Sequence, residues 1–289
     1  MKCDLHVHTV HSGMCTVPVF KRICRESYSD PDEVYATLKR RGMDLVTVTD
    51  HDSIDSSERL RRHADFFLSE EVTCHTSRGT ELHMGVYDIR ERDHVELQRR
   101  RDDLAALFAY LNEREILFAI NHAFSGLTGA RAEADFEDFA EYFPAVEIRN
   151  GQMLAAANGH AETFAARHRK IALAGSDSHT LGGLGRTYTQ VQGARDRREF
   201  VDGLKRGQTV TFGESGSYPK LVRAVLEISC GMMRELRWTF ALAPLMSGVP
   251  LVVLAIIARE LAFAHRWGHQ TNRTAKTGHG PVPLYVTLK

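Results

Sequence analysis

The sequence predicts an α/β fold, because short apolar runs alternate with amphipathic stretches over the first 215 of its 289 residues. This alternation is typical of a parallel sheet or barrel covered by helices, and about seven β–α units of this kind suggest a barrel. We expect a barrel domain over residues 1–215, a helical extension over 216–267 and a disordered tail over 268–289, which is rich in Gly, Thr and Pro.

The elements follow from local signals. Strands are predicted at residues 3–8, 44–49, 66–73, 117–122, 145–149, 171–176 and 187–191, with 209–212 as a further strand. The first helix is predicted at 32–41, since Asp30 suits the N-cap, Pro31 the first turn and Gly42 the position after the end. An apolar stripe that includes Leu97 and Leu104 predicts a longer helix at 92–113. Further helices are predicted at 134–142, 153–168 and 197–206.

The composition, with 43% hydrophobic and 26% charged residues, excludes a disordered or fibrous chain. The net charge is zero, but residues 216–289 carry nine basic and three acidic side chains, so an anionic partner is expected to prefer this region. Five cysteines without a CxxC pair suit reduced thiols better than disulfides or a thiolate zinc site. We therefore expect a cytoplasmic protein without a signal peptide.

Residues 238–258 carry no charged side chain. As a helix they would reach about 32 Å, which is enough to cross the hydrocarbon core of a membrane. Pro244, Ser247, Gly248 and Pro250 weaken such a helix, and basic residues are equal in number on its two sides, so no orientation is specified. The segment is interpreted either as a membrane helix or interfacial anchor, or as a buried helix that covers the barrel.

Histidine is the informative residue, because 12 of the 15 lie between His6 and His179. His6 and His8 are separated by one residue on a predicted strand, so both side chains project from the same face and can hold one metal ion. His51 follows the next strand between Asp50 and Asp52, either of which can orient its ring.

Further donors stand at other strand ends, where a barrel gathers its chemistry. Asp177 and His179 follow the strand at 171–176 with the same spacing as the first pair, and His122 ends the strand at 117–122. A carboxylate together with imidazoles suits zinc, manganese or iron. Glu147, inside the strand at 145–149, is either a partner of a ligand or part of an ordinary salt bridge.

Together these ordered motifs, spread over residues 3–215, resemble those of the polymerase and histidinol phosphatase (PHP) superfamily. The resemblance implies a distorted seven-stranded (β/α) barrel with two or three divalent ions at the carboxyl ends of its strands. It also implies hydrolysis of a phosphate mono- or diester by a metal-activated water. The substrates implied range from small phosphoesters to nucleotides and nucleic acid ends, although the negatively charged barrel does not by itself imply nucleic-acid binding.

The resemblance also implies roles for individual residues. His6, His8 and Asp177 would hold one ion, His51 and His179 the outer ion, and His122 the middle one. Glu71 is the expected bridging carboxylate, with Glu81 as its competitor, and His83 is either a ligand or a residue that lines the site.

One position departs from the pattern of the superfamily. Gly13 occupies the place where an aspartate that binds the outer ion is expected. Either His11 supplies the missing donor, or the outer site is weak or empty. In the latter case His179 is a candidate proton donor to the leaving group.

Arg186 follows three glycines and is a candidate for binding a substrate phosphate. The alternative is an exposed loop in which this arginine has no role in binding. Arg149 is a similar candidate.

Two rival functions remain at this stage. An amidohydrolase-like barrel that cleaves C–N or C–O bonds also uses a His-x-His pair, a bridging group and a late aspartate. Alternatively, the domain is a non-catalytic module that binds a metal or a nucleotide and is tethered by its C-terminal region. The sequence leaves the substrate, the metal and the oligomeric state open.

Overall fold

A computed structural model describes residues 1–17 and 20–272, and within these ranges the chain forms eight β-strands and nine α-helices. The strands are β1 (Lys2–Cys3), β2 (Ser69–His75), β3 (Glu81–Tyr87), β4 (Leu117–Ile120), β5 (Ala145–Asn150), β6 (Ile171–Gly175), β7 (Thr187–Val191) and β8 (Thr209–Gly213). The helices are α1 (Pro31–Arg40), α2 (Ser57–Leu60), α3 (Glu91–Arg100), α4 (Leu104–Glu113), α5 (Glu133–Tyr142), α6 (Ala155–Arg167), α7 (Arg197–Lys205), α8 (Tyr218–Glu235) and α9 (Val249–Trp267). The α/β class is therefore confirmed.

The strands form two sheets, and among the described residues no sheet closes into the expected seven-stranded barrel. One sheet has the order β2-β3-β4-β5-β6, and the other has the order β1-β7-β8. Only β4, β5 and β6 are parallel neighbours. The prediction of a mainly parallel sheet was wrong for β2, β3, β7 and β8, which pair antiparallel with their neighbours. The turn between β2 and β3, where Thr76 N–H donates to Thr80 O, is too short for the crossover that parallel strands need.

Two predicted strands, 3–8 and 44–49, are largely extended segments outside the ladders. Only Lys2–Cys3 belongs to a regular strand, and Val7 and Val46 form single bridges to Ser178 and Phe66. In these segments a side chain replaces a backbone carbonyl as hydrogen-bond acceptor, since Thr49 Oγ1 accepts from Val7 N at 3.0 Å. Such bonds compete with a continuous ladder. The two segments nevertheless connect the end of β6 to the start of β2.

The five-stranded sheet is packed on both faces. On one face, Met84, Phe118 and Val146 contact the helices α3 to α6 in the largest apolar cluster of the chain. On the other face, Ala119 and Leu173 belong to a second cluster with residues of α7. Both faces are therefore covered, and polar side chains follow the ends of β4 and β6, beyond Ile120 and Gly175.

The long helix predicted at 92–113 is two helices, and this prediction was wrong. Helix α3 ends at Arg100, and α4 begins at Leu104. Asp103 has an extended backbone, and its side chain accepts a hydrogen bond from Ala106 N at 3.1 Å, so it caps α4. A capping aspartate stabilises a new helix start, and it competes with the continuation of the preceding helix.

The C-terminal extension packs on the α/β domain. Gly216 N donates to Met153 O at 2.7 Å, which fixes the junction of the extension to the loop before α6. Helix α9 is anchored by Glu260, whose carboxylate is buried and accepts from Ser125 Oγ at 2.7 Å and from Gly126 N. A 3₁₀ helix, Arg237–Gly248, connects α8 to α9. Of the tail expected to be disordered, Gly268–Asn272 form a 3₁₀ helix, and residues 273–289 lie outside the described residues.

The helical segment Arg237–Gln270 is long and apolar enough to cross a membrane, judged by length and composition alone. Its outer face is apolar: Leu251 is 72% exposed, and Trp238, Phe240, Leu245, Val252, Leu254 and Leu261 are exposed as well.

We expect the substitution Asp103→Ala to lower the free energy of unfolding by about 1 kcal/mol, because α4 loses its side-chain cap. The matched control is Asp102→Ala, one residue earlier, where the side chain is 87% exposed, and its effect should stay within about 0.5 kcal/mol. Urea unfolding followed by circular dichroism measures both. Equal losses in the two variants would contradict the assigned start of α4.

Candidate metal centre

The structure brings together all eight residues that were predicted to bind metal. The extended segment after β1 carries His6 and His8, and the segment that ends at His51 lies beside it. Strands β2 and β3 contribute Glu71 and His83, while His122 follows β4, and Asp177 and His179 follow β6. Their ligand atoms form four groups of three, each within 4.8 Å: His8, His51 and His179; His6, His8 and Asp177; His6, Glu71 and His122; and His51, Glu71 and His83.

Glu71 lies at the middle of this cluster and is fully buried. Its carboxylate oxygens are 3.2 Å from His6 Nε2 and His51 Nδ1, 3.4 Å from His8 Nε2 and His122 Nε2, and 3.6 Å from His83 Nδ1. Asn121 Nδ2 donates to Glu71 Oε1 at 2.8 Å and holds the carboxylate in place. The competitor, Glu81, is 3.5 Å from His83 Nε2 and belongs to none of the four groups, which were sought among the described residues.

Asp177 occupies the other side of the cluster. Its Oδ1 is 3.5 Å from His6 Nε2 and 3.3 Å from His8 Nε2, and its Oδ2 accepts from Asn150 Nδ2 at 3.0 Å. Asp177 and His122 have φ angles of 50° and 31°, in the left-handed region that non-glycine residues rarely adopt. Strain of this kind persists where surrounding contacts over-determine the conformation, which is common at functional sites.

A layer of hydrogen bonds orients the imidazoles from outside. Glu147, left open by the sequence, has its Oε1 2.8 Å from His6 Nδ1, and its Oε2 accepts from His122 N at 3.0 Å. With a proton on Nδ1, His6 turns a free lone pair on Nε2 toward Glu71 and Asp177. Glu147 therefore acts as the carboxylate partner of a ligand rather than as an ordinary salt bridge.

Asp50 and Asp52 do not orient His51, contrary to the expectation. Asp50 accepts from Ser12 Oγ at 2.7 Å, and Ser12 Oγ in turn lies 3.0 Å from His8 Nδ1. Asp50 therefore supports His8 through a serine, while Asp52 accepts from Thr73 N at 2.9 Å. The ring of His51 has other neighbours.

One of those neighbours, Glu26, was missed by the sequence analysis. Its Oε2 is 3.2 Å from His51 Nε2. Glu26 lies 13 residues after Gly13 and has no motif around it, so no local signal marked it. His11, the donor considered instead, lies in the 3₁₀ turn Val10–Ser12 and is in none of the four groups found among the described residues.

Burial sets the protonation of the centre. It lowers the pKa of His51 well below the usual value, and together with His8 it lowers the pKa of His179. Burial acts to raise the pKa of Glu71, but the surrounding imidazoles, His6 first among them, hold it well below its usual range. Burial raises the pKa of Glu26 to about 7. Burial acts to lower the pKa of His6 and of His83, but the nearby carboxylates, Glu71 first among them, raise it above the usual value. Metal binding would therefore displace protons from these rings.

The donors fit a set of divalent cations. Two buried imidazole nitrogens that face Glu71, His8 Nε2 and His83 Nδ1, have no hydrogen-bond partner among the described residues. A buried polar atom left unpaired costs about 1–3 kcal/mol, and a bound cation would satisfy the imidazole lone pairs. Imidazole and carboxylate donors suit zinc, manganese or iron, as the sequence predicted.

The two predicted arginines lie outside the cluster. Arg186 is exposed, and its Nη1 is 3.1 Å from Glu214 Oε1. Arg149 Nη1 donates to Gly213 O at 3.3 Å. Their roles at a substrate phosphate stay predictions.

A cavity of about 990 Å³ opens beside His179 between α1 and α8. Four arginines are among the residues that line it: Arg40, Arg41, Arg223 and Arg234.

Parts of the chain are similar to known proteins. Residues 155–209 match the PHP-associated family, and this stretch includes Asp177 and His179. An uncharacterized protein of Methanocaldococcus jannaschii is 35% identical over 54 residues, which are 19% of this chain and 30% of that relative.

Solved structures are similar in fold. PsfC from Pseudomonas syringae superimposes with a TM-score of 0.55 at 16% identity, covering 81% of this chain and 98% of PsfC. The lesion-specific endonuclease PfuEndoQ from Pyrococcus furiosus gives a TM-score of 0.47 at 17% identity, covering 71% of this chain and 56% of the endonuclease. The family match covers a short part of the chain, residues 155–209, which contains two of the eight clustered donors, Asp177 and His179.

Proposed function

We propose that the protein is a metal-dependent phosphoesterase that hydrolyses a phosphate mono- or diester. The observation that carries this proposal is the sharing of donors between the four groups of the centre. His6, His8, His51 and Glu71 each belong to two groups, so ions in neighbouring groups would lie close together. Closely spaced ions, about 3.5–4 Å apart, are the arrangement used for in-line displacement at phosphorus.

Two or three ions are proposed, with the ligands expected from the sequence. His6, His8 and Asp177 would hold one ion, and Glu71 would bridge to a second one beside His122. His51 and His179 would hold the outer ion together with His8. His83, with its Nδ1 3.6 Å from Glu71, would be a further ligand or line the site.

When bound, such ions lower the pKa of a water molecule toward about 7 and neutralise the phosphoryl oxygens. The chain itself supplies position and charge. Glu147 and Asn121 hold His6 and Glu71 in fixed orientations. His179 belongs to the cluster and also lines the cavity, so we propose that it would protonate the leaving group from the open side when the outer site is empty.

The cavity favours an anionic substrate. Its four arginines outnumber its two acidic residues, Glu33 and Glu227, and a volume of about 990 Å³ can hold a nucleotide-sized ligand. A neighbouring cavity of about 240 Å³ contains Arg186 and Lys220, which would extend the positive surface. This charge favours a phosphoester over the neutral amides and lactones of an amidohydrolase.

We further propose that the fold is a distorted barrel of seven segments. Single backbone hydrogen bonds continue the five-stranded sheet around the centre. Asp177 N donates to His6 O at 2.8 Å, Thr49 N to Val7 O at 2.8 Å, and Phe67 N to Val46 O at 3.1 Å. These bonds would connect β6 back to β2 through the two extended segments.

We also propose that the segment Arg237–Gln270 rests on a membrane surface rather than crossing a bilayer. One face of α9 is occupied, because Glu260 bonds Ser125 and the α/β domain buries Trp267. The opposite face exposes large apolar side chains such as Leu251 and Leu254. A helix with one face packed on protein can bury the other at a lipid interface.

We expect His8→Ala to lower the rate of phosphoester hydrolysis by at least about 100-fold, because the loss of a direct ligand exceeds the loss of an outer-shell partner. The matched control, His75→Ala, removes an exposed histidine outside the cluster and should keep wild-type activity. The assay follows phosphate, nitrophenol or nucleotide release from a panel of mono- and diesters with Mn²⁺ or Zn²⁺. Equal rates in all three proteins would refute the enzyme, and turnover of amides or lactones alone would favour the amidohydrolase alternative.

Metal loading should raise the melting temperature of the wild-type protein. An ion at 100 times its dissociation constant adds about 2.7 kcal/mol, which corresponds to about 5–10 °C for a chain of this size. Differential scanning fluorimetry before and after chelation measures this shift, and Asp177→Asn should reduce it. A melting temperature insensitive to Mn²⁺, Zn²⁺ and Fe²⁺ would argue against a metal centre.

The double substitution Leu251→Glu/Leu254→Glu should reduce binding to phosphatidylcholine–phosphatidylglycerol vesicles about tenfold or more, because two apolar side chains leave the interface. Val95→Glu, at an exposed valine on α3, serves as the control and should bind like the wild type. Vesicle flotation measures the bound fraction. If the wild-type protein stays unbound at low ionic strength, the membrane proposal fails.

A further inference from the structure

We propose that Glu26 supplies the outer-ion ligand that Gly13 does not provide, and that helix α8 of the C-terminal extension positions it. This inference rests on the proposed function, since it concerns the same metal centre. It assigns a residue and a structural device that the motifs of the chain do not reveal.

The Glu26 carboxylate lies beside the ring of His51, although Glu26, like Glu81 and His11, belongs to none of the four donor groups found among the described residues. Glu26 Oε2 lies 3.2 Å from His51 Nε2, and His51 shares its donor group with His8 and His179. Two donor atoms on one tetrahedral ion with bonds of about 2.0–2.1 Å are about 3.3 Å apart. Among the described residues, the carboxylate of Glu26 contacts His51 and makes no hydrogen bond. Its side chain is nevertheless only 17% exposed.

Position 13 cannot easily carry the missing aspartate. Gly13 has φ 86° and ψ −153°, a conformation that is accessible essentially to glycine alone. Its carbonyl accepts from Glu26 N at 3.1 Å, and the pairing continues through Cys15 N, which donates to Cys24 O at 2.9 Å. Residues 13–15 therefore pair antiparallel with residues 24–26, and Glu26 lies opposite position 13. From there its side chain approaches the same end of the centre as an aspartate at position 13 would.

Helix α8 holds this pair in place. Arg25, next to Glu26, donates from Nε to Glu235 Oε1 at 2.9 Å, and its Nη2 lies 2.9 Å from the same oxygen. Tyr28 accepts from Arg25 N at 3.0 Å and packs against Gly231 of α8. A Cβ at position 231 would lie 2.5 Å from the Tyr28 ring, so only glycine permits this approach. The extension thus contacts Arg25 and Tyr28, which lie on either side of Glu26 in the chain.

The test counts the ions bound to each chain. The full-length protein is loaded with Mn²⁺ or Zn²⁺, desalted and analysed by inductively coupled plasma mass spectrometry. Glu26→Gln should retain one ion fewer than the wild type, with an unchanged far-UV circular dichroism spectrum. Glu58→Gln, at an exposed glutamate on α2, should retain the wild-type number.

The positioning role of α8 has a separate readout. Glu235→Gln should weaken binding of the most weakly held Mn²⁺ about tenfold, as expected for a residue that orients a ligand, and leave the number at saturation unchanged. Titration with Mn²⁺ followed by electron paramagnetic resonance measures this affinity. Glu227→Gln, on the same helix, serves as the control and should not change it, although it pairs with Arg223.

The outcomes separate this inference from the proposed function. If the wild type and Glu26→Gln retain the same number of ions, the role of Glu26 is overturned and the metal centre stands. If the wild type binds no ion, the proposed function falls and the inference falls with it. Should Glu26→Gln fail to fold, the Glu235→Gln titration decides, because an unchanged affinity there would overturn the coupling to α8.

Discussion

The structure depends on charge compensation around two buried carboxylates. Glu71 and Asp177 are held among six imidazoles, at a depth where an isolated charge would be strongly unfavourable. The imidazoles offset part of this cost, and His8 Nε2 and His83 Nδ1, which have no hydrogen-bond partner among the described residues, are compatible with a bound cation. Hydrogen bonds from outside the cluster orient two of the rings. Glu147 bonds His6 directly, and Asp50 acts on His8 through Ser12, which fixes the nitrogen that each ring turns toward the carboxylates.

The C-terminal extension adds to this centre in two ways. Helix α8 forms one wall of the arginine-lined cavity and reaches the segment that carries Glu26 through the Arg25–Glu235 pair. Helix α9 fastens the extension to the domain through the buried acid Glu260 and the buried ring of Trp267, and it leaves an apolar face outward. One helical unit therefore contacts the proposed substrate cavity and the segment of the proposed outer donor, and it carries the proposed membrane-binding face.

Much of the centre was predictable because its signals are local. The spacing of His6 and His8, the placement of His122, Asp177 and His179 after apolar runs, and the period of two along a strand each follow from short stretches of sequence. Because of the same period, the adjacent residues Glu70 and Glu71 point to opposite faces of β2. Glu70 contacts His94, and Glu71 contacts His6 in the candidate metal centre. Helix α1 was equally predictable from the sequence, since Asp30 and Pro31 mark its start.

The sequence by itself determined the α/β class, the donor chemistry and the identity of eight converging side chains, because each depends on residue type and near-neighbour spacing. The tertiary structure alone decided the antiparallel pairing of β3 with β2 and β4, the support of His8 by Asp50, and the approach of Glu26 to His51. These features arise from contacts between segments that fold together from different parts of the chain. No window of sequence contains both partners of such a contact in a recognisable pattern.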